Sequence, residues 1–259
     1  MLKKLFQSFR SPLRRAAHKR STPEVLNSNQ HPLRRGEISR YALSVVDRLQ
    51  QAGYQAYLVG GCVRDLLLNL EPKDFDVATS ATPEQVRAEF RNARVIGRRF
   101  KLVHVHFGRE IIEVATFRAN HPQGDEDEDS NLSSRNESGR ILRDNVYGSL
   151  EDDAQRRDFT INALYLDASC ERILDYANGV HDIRNRLVRL IGDPEKRYQE
   201  DPVRMLRAVR FAAKLDFEIE KHSAAPIPRL ARLLHEIPSA RLFDEVLKLF
   251  LAGNAEHTF

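Results

Sequence analysis

Asp74 and Asp76, in "KDFDVATS", stand two residues apart in a run that reads as a strand. At that spacing both carboxylates project from one face, while Phe75 and Val77 turn to the other. Two carboxylates so placed can hold one Mg²⁺ and share a second, the arrangement that activates an attacking hydroxyl and neutralises a leaving pyrophosphate. A solvent-facing pair at a strand end is the plainer account of the same spacing. Upstream, Gly60 and Gly61 lie between a strand-like run and the short helix of "CVRDLLL". Missing side chains there let backbone N–H groups approach a phosphate, and a helix N-terminus favours its charge. Arg64 and Asp65 follow one turn later: the arginine is a candidate for the triphosphate, the acid for holding that arginine or a ribose hydroxyl. A buried Arg–Asp pair that fixes the turn is the structural alternative.

Two further clusters can complete such a site. A third carboxylate is expected on a neighbouring strand. Glu113 in "EIIEVATF" is the acid within an otherwise apolar alternation, with Ile112 and Val114 on the opposite face. Asp158 in "RRDFTINALYLD" is the other candidate, with Arg156 and Arg157 beside it to meet phosphate or to pair with Asp152 and Asp153. In "EDPVRMLRAVRFAAKL", Asp201 reads as an N-cap, Pro202 as the first helical residue, and Arg204 and Arg207 share a helix face. Asp201 accepting from an exocyclic amine and Arg204 donating to a ring nitrogen can read a base edge without a template. A capped basic helix face explains the same pattern without a ligand.

The elements that must position these groups are legible from periodicity. "EISRYALSVVDRLQQAG" places Ile38, Ala42, Val45, Val46 and Leu49 at helical spacing, with Gly53 to stop the helix. "YQAYLVGG" and "FDVATS" read as strands, and "TPEQVRAEF" as a helix with Thr82 as N-cap and Pro83 at its first position. "ARVIG", "KLVHVHF" and "EIIEVATF" follow as strands at hairpin spacing, giving a mixed α/β head with a small, mainly antiparallel sheet. Residues 119–140 hold five consecutive acids, Asp125 to Asp129, without an apolar period, and read as a mobile loop. From 193 onward the chain reads as all helical. The expected organisation is a basic flexible arm at 1–36, a head at 37–192 and a helical neck at 193–259.

Composition narrows the field. The 259 residues allow a sizeable core. A net charge of +4, from 41 Lys and Arg against 37 Asp and Glu, argues little for nucleic acid by itself. Cys62 and Cys170, without CxxC spacing, fit reduced thiols. No apolar run has the length of a membrane span. The opening residues, basic and free of acids before Glu24, suit a solvated or RNA-touching arm, with an organellar transit peptide as the alternative to a cytoplasmic location.

Taken together, "GGCVRD" with "DFD", "RRDFTINAL" and "EDPVRMLRAVRFA" resemble the bacterial poly(A) polymerases and the similar CCA-adding tRNA nucleotidyltransferases, over about residues 37–253. The resemblance implies a nucleotidyltransferase head followed by a helical neck, two Mg²⁺ ions, ATP as substrate and an RNA 3′ hydroxyl as nucleophile. By motif it implies Asp74 and Asp76 as metal-binding acids, Asp158 in the second motif, and Asp201 with Arg204 as the base-reading pair. "VIGRRFKLVHV" is similar to a segment of the polymerases, which puts Arg98, Arg99 and Lys101 near primer or triphosphate. CCA addition is the rival enzyme, and an RNA- or nucleotide-binding protein without turnover is the rival outside enzymes. Asn69 stands where the family usually has glycine. The family continues past the neck, so the expectation is a shortened member with weakened primer binding, or a protein partner that supplies the missing surface.

Overall fold

A computed structural model of the chain describes residues 22–97, 101–119, 133–135, 141–144 and 146–251. Its first helix shows how the apolar pattern becomes structure. In α1 (Arg40–Gln51) the Ser39 side chain caps the start by accepting from the Tyr41 N–H, and Ala42, Val45, Val46 and Leu49 form the buried stripe. Gly53, with φ of 88°, then lets the chain leave the helix in a conformation that costs a side chain dearly.

The strands that follow build one eight-stranded sheet. In chain order its members are β1 (Glu24–Leu26), β2 (Ala56–Val59), β3 (Asp76–Thr79), β4 (Ala93–Ile96), β5 (Leu102–Phe107) and β6 (Glu110–Thr116), then, past a separate hairpin of β7 (Ser133–Arg135) and β8 (Ile141–Asp144), β9 (Leu164–Asp167) and β10 (Arg172–Asp175). The spatial order is β1-β10-β9-β2-β3-β6-β5-β4. Every pairing is antiparallel except β3 with β6, which run parallel. The sheet is therefore mixed and mainly antiparallel, as the hairpin spacing requires.

Helices α2 (Gly61–Leu67), α3 (Pro83–Glu89), α4 (Leu150–Arg156) and α5 (Gly179–Arg184) complete the head. The capping box at Thr82 and Gln85 starts α3 where the sequence places it. One sheet face carries Val77, Val103, Val105, Ile112 and Val114 and packs on α1 and α3 through Val45, Val46, Leu49, Val86 and Phe90. The other face is covered over β2 and β3 by α4, where Val59, Ala78, Leu150, Ala154 and Tyr165 form a smaller apolar cluster. Asn69 has φ of 55°, a left-handed position that asparagine tolerates better than most residues, which is why it can replace glycine there.

The neck comprises α6 (Pro194–Glu200), α7 (Val203–Leu215), α8 (Lys221–Ala224), α9 (Ile227–Leu230) and α10 (Ser239–Leu251). Tyr198, Met205, Ala208 and Phe211 join the same apolar cluster as the head strands, so head and neck share a core. The Phe211 ring meets Phe159 edge-on at 5.6 Å and lies under the Arg64 guanidinium at 5.2 Å.

Four expectations are corrected. Residues 22–36 are not part of a flexible arm: β1 pairs with β10, and Leu26 and Leu33 are buried, a strand too short to show alternation. The neck is not wholly helical, because β12 (Glu218–Ile219) pairs in parallel with β11 (Leu187–Val188). Within the acidic loop segment, Ser133–Arg135 pairs with β8 as a hairpin, whereas Asp125 to Asp129 lie outside the described residues. Asp201 is the C-cap of α6 with extended backbone and does not cap α7.

Both cysteines are free thiols. Burial pushes the Cys62 thiol up to about 12, while Cys170 is exposed. A thiol-disulfide reagent at neutral pH should therefore titrate Cys170 alone in the native chain, and Cys62 only after denaturant. Rapid reaction of both, read by mass spectrometry, would contradict this packing.

Candidate active site

Asp76 opens β3, and its cross-strand neighbour on the parallel strand β6 is Glu113. This register is what the period-two reading of "EIIEVATF" requires, because Ile112 and Val114 enter the core and Glu113 turns to the opposite face with Asp76. Asp74 lies just before the strand and is exposed. Burial raises the Asp76 carboxyl to about 6, and Glu113 and then Asp74 add like-charge repulsion that Arg157 only partly offsets. Hard carboxylate oxygens crowded with too little positive charge are a donor set that suits a divalent cation. Among the described residues no group of three or more His, Cys, Asp or Glu side chains is gathered closely enough to hold a metal ion alone. Mg²⁺ commonly takes one or two carboxylates and completes its shell with substrate phosphate and water, so Asp74 and Asp76 fit it.

The Gly60–Gly61 turn sits beside these acids. Gly60 has φ of 80°, and a Cβ there would come within 3.6 Å of an Arg157 Nη1. Arg157 thus lies against the turn, a placement that the sequence reading, which set it only beside Asp158, did not anticipate. Its other nitrogens are fixed: Nε donates to the Tyr165 hydroxyl at 2.9 Å and Nη2 to Asp153 at 3.1 Å, and Tyr165 donates to the same carboxylate at 2.7 Å. Burial opposes the charge on Arg157, but Tyr165 and Asp153 outweigh it and raise its pKa.

Arg64 differs from its expected role. It is 2% exposed, donates twice to Asp65 and, at 2.6 Å, to Asn162. It therefore holds the turn from behind, and Asp65, which also meets Lys214 of α7 at 3.4 Å, is its counter-ion. This is the buried pair of the structural reading. A Cβ on Gly61 would lie 3.6 Å from Arg64 Nη2, in ordinary contact with that guanidinium.

Asp158 does not join Asp76 and Glu113. Its Oδ2 accepts from Arg207 Nε at 2.8 Å, and its Oδ1 accepts from the Phe159 N–H at 2.8 Å and from Asn162 at 3.3 Å. Burial works against its charge, yet the Arg207 charge and these hydrogen bonds prevail and pull the carboxyl down to about 2. Of the two candidates for third carboxylate, Glu113 is the one beside Asp76. Arg207, expected with the base-reading pair, is spent on Asp158 and faces Glu245 of α10 at 3.9 Å.

Asp201 Oδ2 accepts from Arg241 at 2.7 Å, while its buried Oδ1 has no partner among the described residues. An unpaired buried acceptor is costly and suits a ligand donor such as an exocyclic amine. Arg204 is 9% exposed and donates through Nη1 to the Arg197 carbonyl at 2.7 Å and to Glu200 at 3.2 Å. Lys101 pairs with Glu84 at 3.3 Å, and Arg98 and Arg99 lie outside the described residues.

The sequence reading missed Arg118 and Arg197. Arg197 Nη2 donates at 2.6 Å to the carbonyls of both Arg156 and Arg157, joining α6 to the end of α4. Burial, then Arg118, Arg197, Arg204 and Arg157, lowers Arg156 to about 9, and burial with Arg204 lowers Arg197 to about 10. Crowded, partly dehydrated guanidinium groups favour a polyanion. No local pattern marks either residue, because each gains its meaning from a contact across the head–neck joint or from the far end of β6.

The fold and these groups define a nucleotidyltransferase head. The family described as "Poly A polymerase head domain" matches residues 56–189, and "Probable RNA and SrmB-binding site of polymerase A" matches residues 216–259. Poly(A) polymerase I of Salmonella typhimurium is 59% identical over 235 residues, 91% of this chain and 50% of that protein. A CCA-adding enzyme of Lactobacillus helveticus is 38% identical over 218 residues, 84% of this chain and 51% of that protein. Among solved structures, the Bacillus stearothermophilus CCA-adding enzyme in complex with CTP matches with a TM-score of 0.70 and 37% identity, covering 84% of this chain and 49% of that one. The chain belongs to the poly(A) polymerase head-domain family, and it spans about half the length of the curated relatives it matches.

Asp158 titrates below its ordinary value of 3.8 in the fold, so its stabilisation is present above about 3.8 and is lost as pH falls through about 2. The stability gap between wild type and Asp158→Asn should narrow by about 2 kcal/mol across that window. Urea midpoints measured at several pH values read this directly. A gap that does not change with pH would mean that Asp158 is not held by Arg207.

Proposed function

We propose that the chain carries the catalytic head of a template-independent adenylyltransferase that adds AMP from ATP to RNA 3′ ends. The observation that carries this reading is the side-by-side placement of Asp76 and Glu113 next to a Gly60–Gly61 turn with Arg157 against it. The greater identity to a poly(A) polymerase than to a CCA-adding enzyme supports adenylate as the transferred group.

In this reading Asp74 and Asp76 hold Mg²⁺, with Glu113 beside them. Bound there, Mg²⁺ supplies charge to the triphosphate and to the departing pyrophosphate and favours ionisation of the attacking hydroxyl. The protein's own groups do the positioning. Gly60 and Gly61 admit the phosphates close to backbone, Arg157 faces them from the turn, and Arg156, Arg197 and Arg118 add the field that keeps a polyanion in place. Arg64 acts from behind by fixing the turn through Asp65 and Asn162. Asp201 accepts from the adenine amine through its unpaired Oδ1, and Arg204 donates from the neighbouring turn of α7. Asp158 holds Arg207 and so keeps α7 against the head. A cytoplasmic location fits the bacterial relatives; among the described residues no helix is long and apolar enough to cross a membrane.

The test is extension of a labelled RNA with Mg²⁺ and each NTP separately, beside a tRNA lacking its CCA end. Long tails with ATP alone support the reading, and a three-nucleotide stop that needs CTP transfers the chain to CCA addition. Asp76→Ala should lower turnover by at least about 100-fold while the melting temperature stays at or above that of wild type, because a like-charge neighbour is removed. Retained turnover in Asp76→Ala would remove the metal assignment.

A further inference from the structure

The row that contains the two carboxylates does not stop at Glu113. In the strand registers Asp76 on β3 faces Glu113 on β6, Glu113 faces His104 on β5, and His104 faces Arg94 on β4. These four side chains therefore occupy one line across the sheet, on the face opposite to the α1–α3 core. One row over, on the same face, His106 stands opposite Ile111. At strand spacings of ~4.8 Å the line runs about 14 Å from Asp76 to Arg94.

Among the described residues this part of the face is open. α4 covers β2 and β3, whereas Ile96 is 36% and Ile111 43% exposed, and Arg94 is also exposed. His104 and His106 lie edge to face with ring centroids 6.2 Å apart, and His104 Nε2 is 3.4 Å from Glu113. Flat rings, exposed aliphatic side chains and a cation, without an acid between Glu113 and the sheet edge in that line, form a surface that takes bases and phosphates together. A protein-binding face rich in apolar groups would not need an imidazole and an arginine in line with the carboxylates and a second imidazole one row over.

We propose that the open face of β4, β5 and β6 is the track on which the single-stranded 3′ end of an RNA lies, its terminal hydroxyl at Asp76 and Glu113 and its upstream nucleotides running toward Arg94. The inference rests on the adenylyltransferase reading for the direction of the strand and adds the residues that hold the primer. His106 and Ile111 stack against a base, Arg94 meets a phosphate, and His104 positions the Glu113 carboxylate beside the terminal ribose.

The experiment uses the whole chain and an oligoadenylate carrying 4-thiouridine two nucleotides from its 3′ end. Irradiation should cross-link it to peptides between residues 94 and 113. Arg94→Ala with His106→Ala should raise the primer KM about tenfold with the ATP KM nearly unchanged, and His106→Phe should recover most of the loss. Arg94→Ala alone should flatten the salt dependence of RNA binding by about 0.7 in the log–log slope. Ile111→Glu, at an exposed position, should weaken RNA binding without lowering the melting temperature. Cross-links that map elsewhere, or an unchanged primer KM, overturn the track even if adenylation stands. RNA held on this face without AMP transfer leaves the track intact and removes the activity. No RNA binding by the wild-type chain removes both, and dissociation of a dimer by Ile111→Glu with RNA affinity intact makes the face a self-association surface instead.

Discussion

The buried ion pair between Asp158 and Arg207 is the contact on which the cleft depends. Asp158 lies just past the end of α4 in the head, and Arg207 lies in the middle of the neck helix α7. A charge withdrawn from water is tolerated only where partners saturate it, and Asp158 has three. With α7 held there, Arg64 can rest on Phe211 and Lys214 can reach Asp65. Arg197 adds a second tie by capping the carbonyls at the end of α4. The neck is thus fixed to the head by directional bonds as well as by apolar burial.

Electrostatic balance inside the cleft is left incomplete. On one side Asp76, Glu113 and Asp74 repel one another, and burial sharpens that repulsion. On the other, Arg156 and Arg197 are crowded by like charges. One set seeks a cation and the other an anion, the two demands that the proposed metal–triphosphate ligand would meet together. Asp201 Oδ1, buried and without a partner among the described residues, is an equivalent imbalance that a neutral donor would relieve.

What the sequence reveals and what it hides follow from the range of the interactions. The period of two in "EIIEVATF" makes Glu113 a cleft-facing acid by purely local logic, and the caps of α1 and α3 are local as well. Arg64 misleads because type and spacing do not tell whether a guanidinium beside a glycine turn faces the ligand or the core. That is decided by Asn162, far along the chain. Asp201 misleads because its carboxylate is drawn to Arg241 of α10 and away from the helix start it precedes. The strand at Glu24–Leu26 is too short to show alternation, and it becomes a strand only because β10 offers an edge.

The parallel pairing of β3 with β6 has a consequence for how the protein is made. Parallel neighbours cannot be joined by a tight turn, and here the link between them is α3 followed by the β4–β5 hairpin. Asp76 and Glu113 therefore meet only after that whole excursion has been closed, a long-range contact whose loop entropy must be met before it brings any return. The carboxylates stay apart in a nascent or partly folded chain and come together with the completed sheet. The proposed metal-holding acids are then assembled together with the native topology, as a late event of folding.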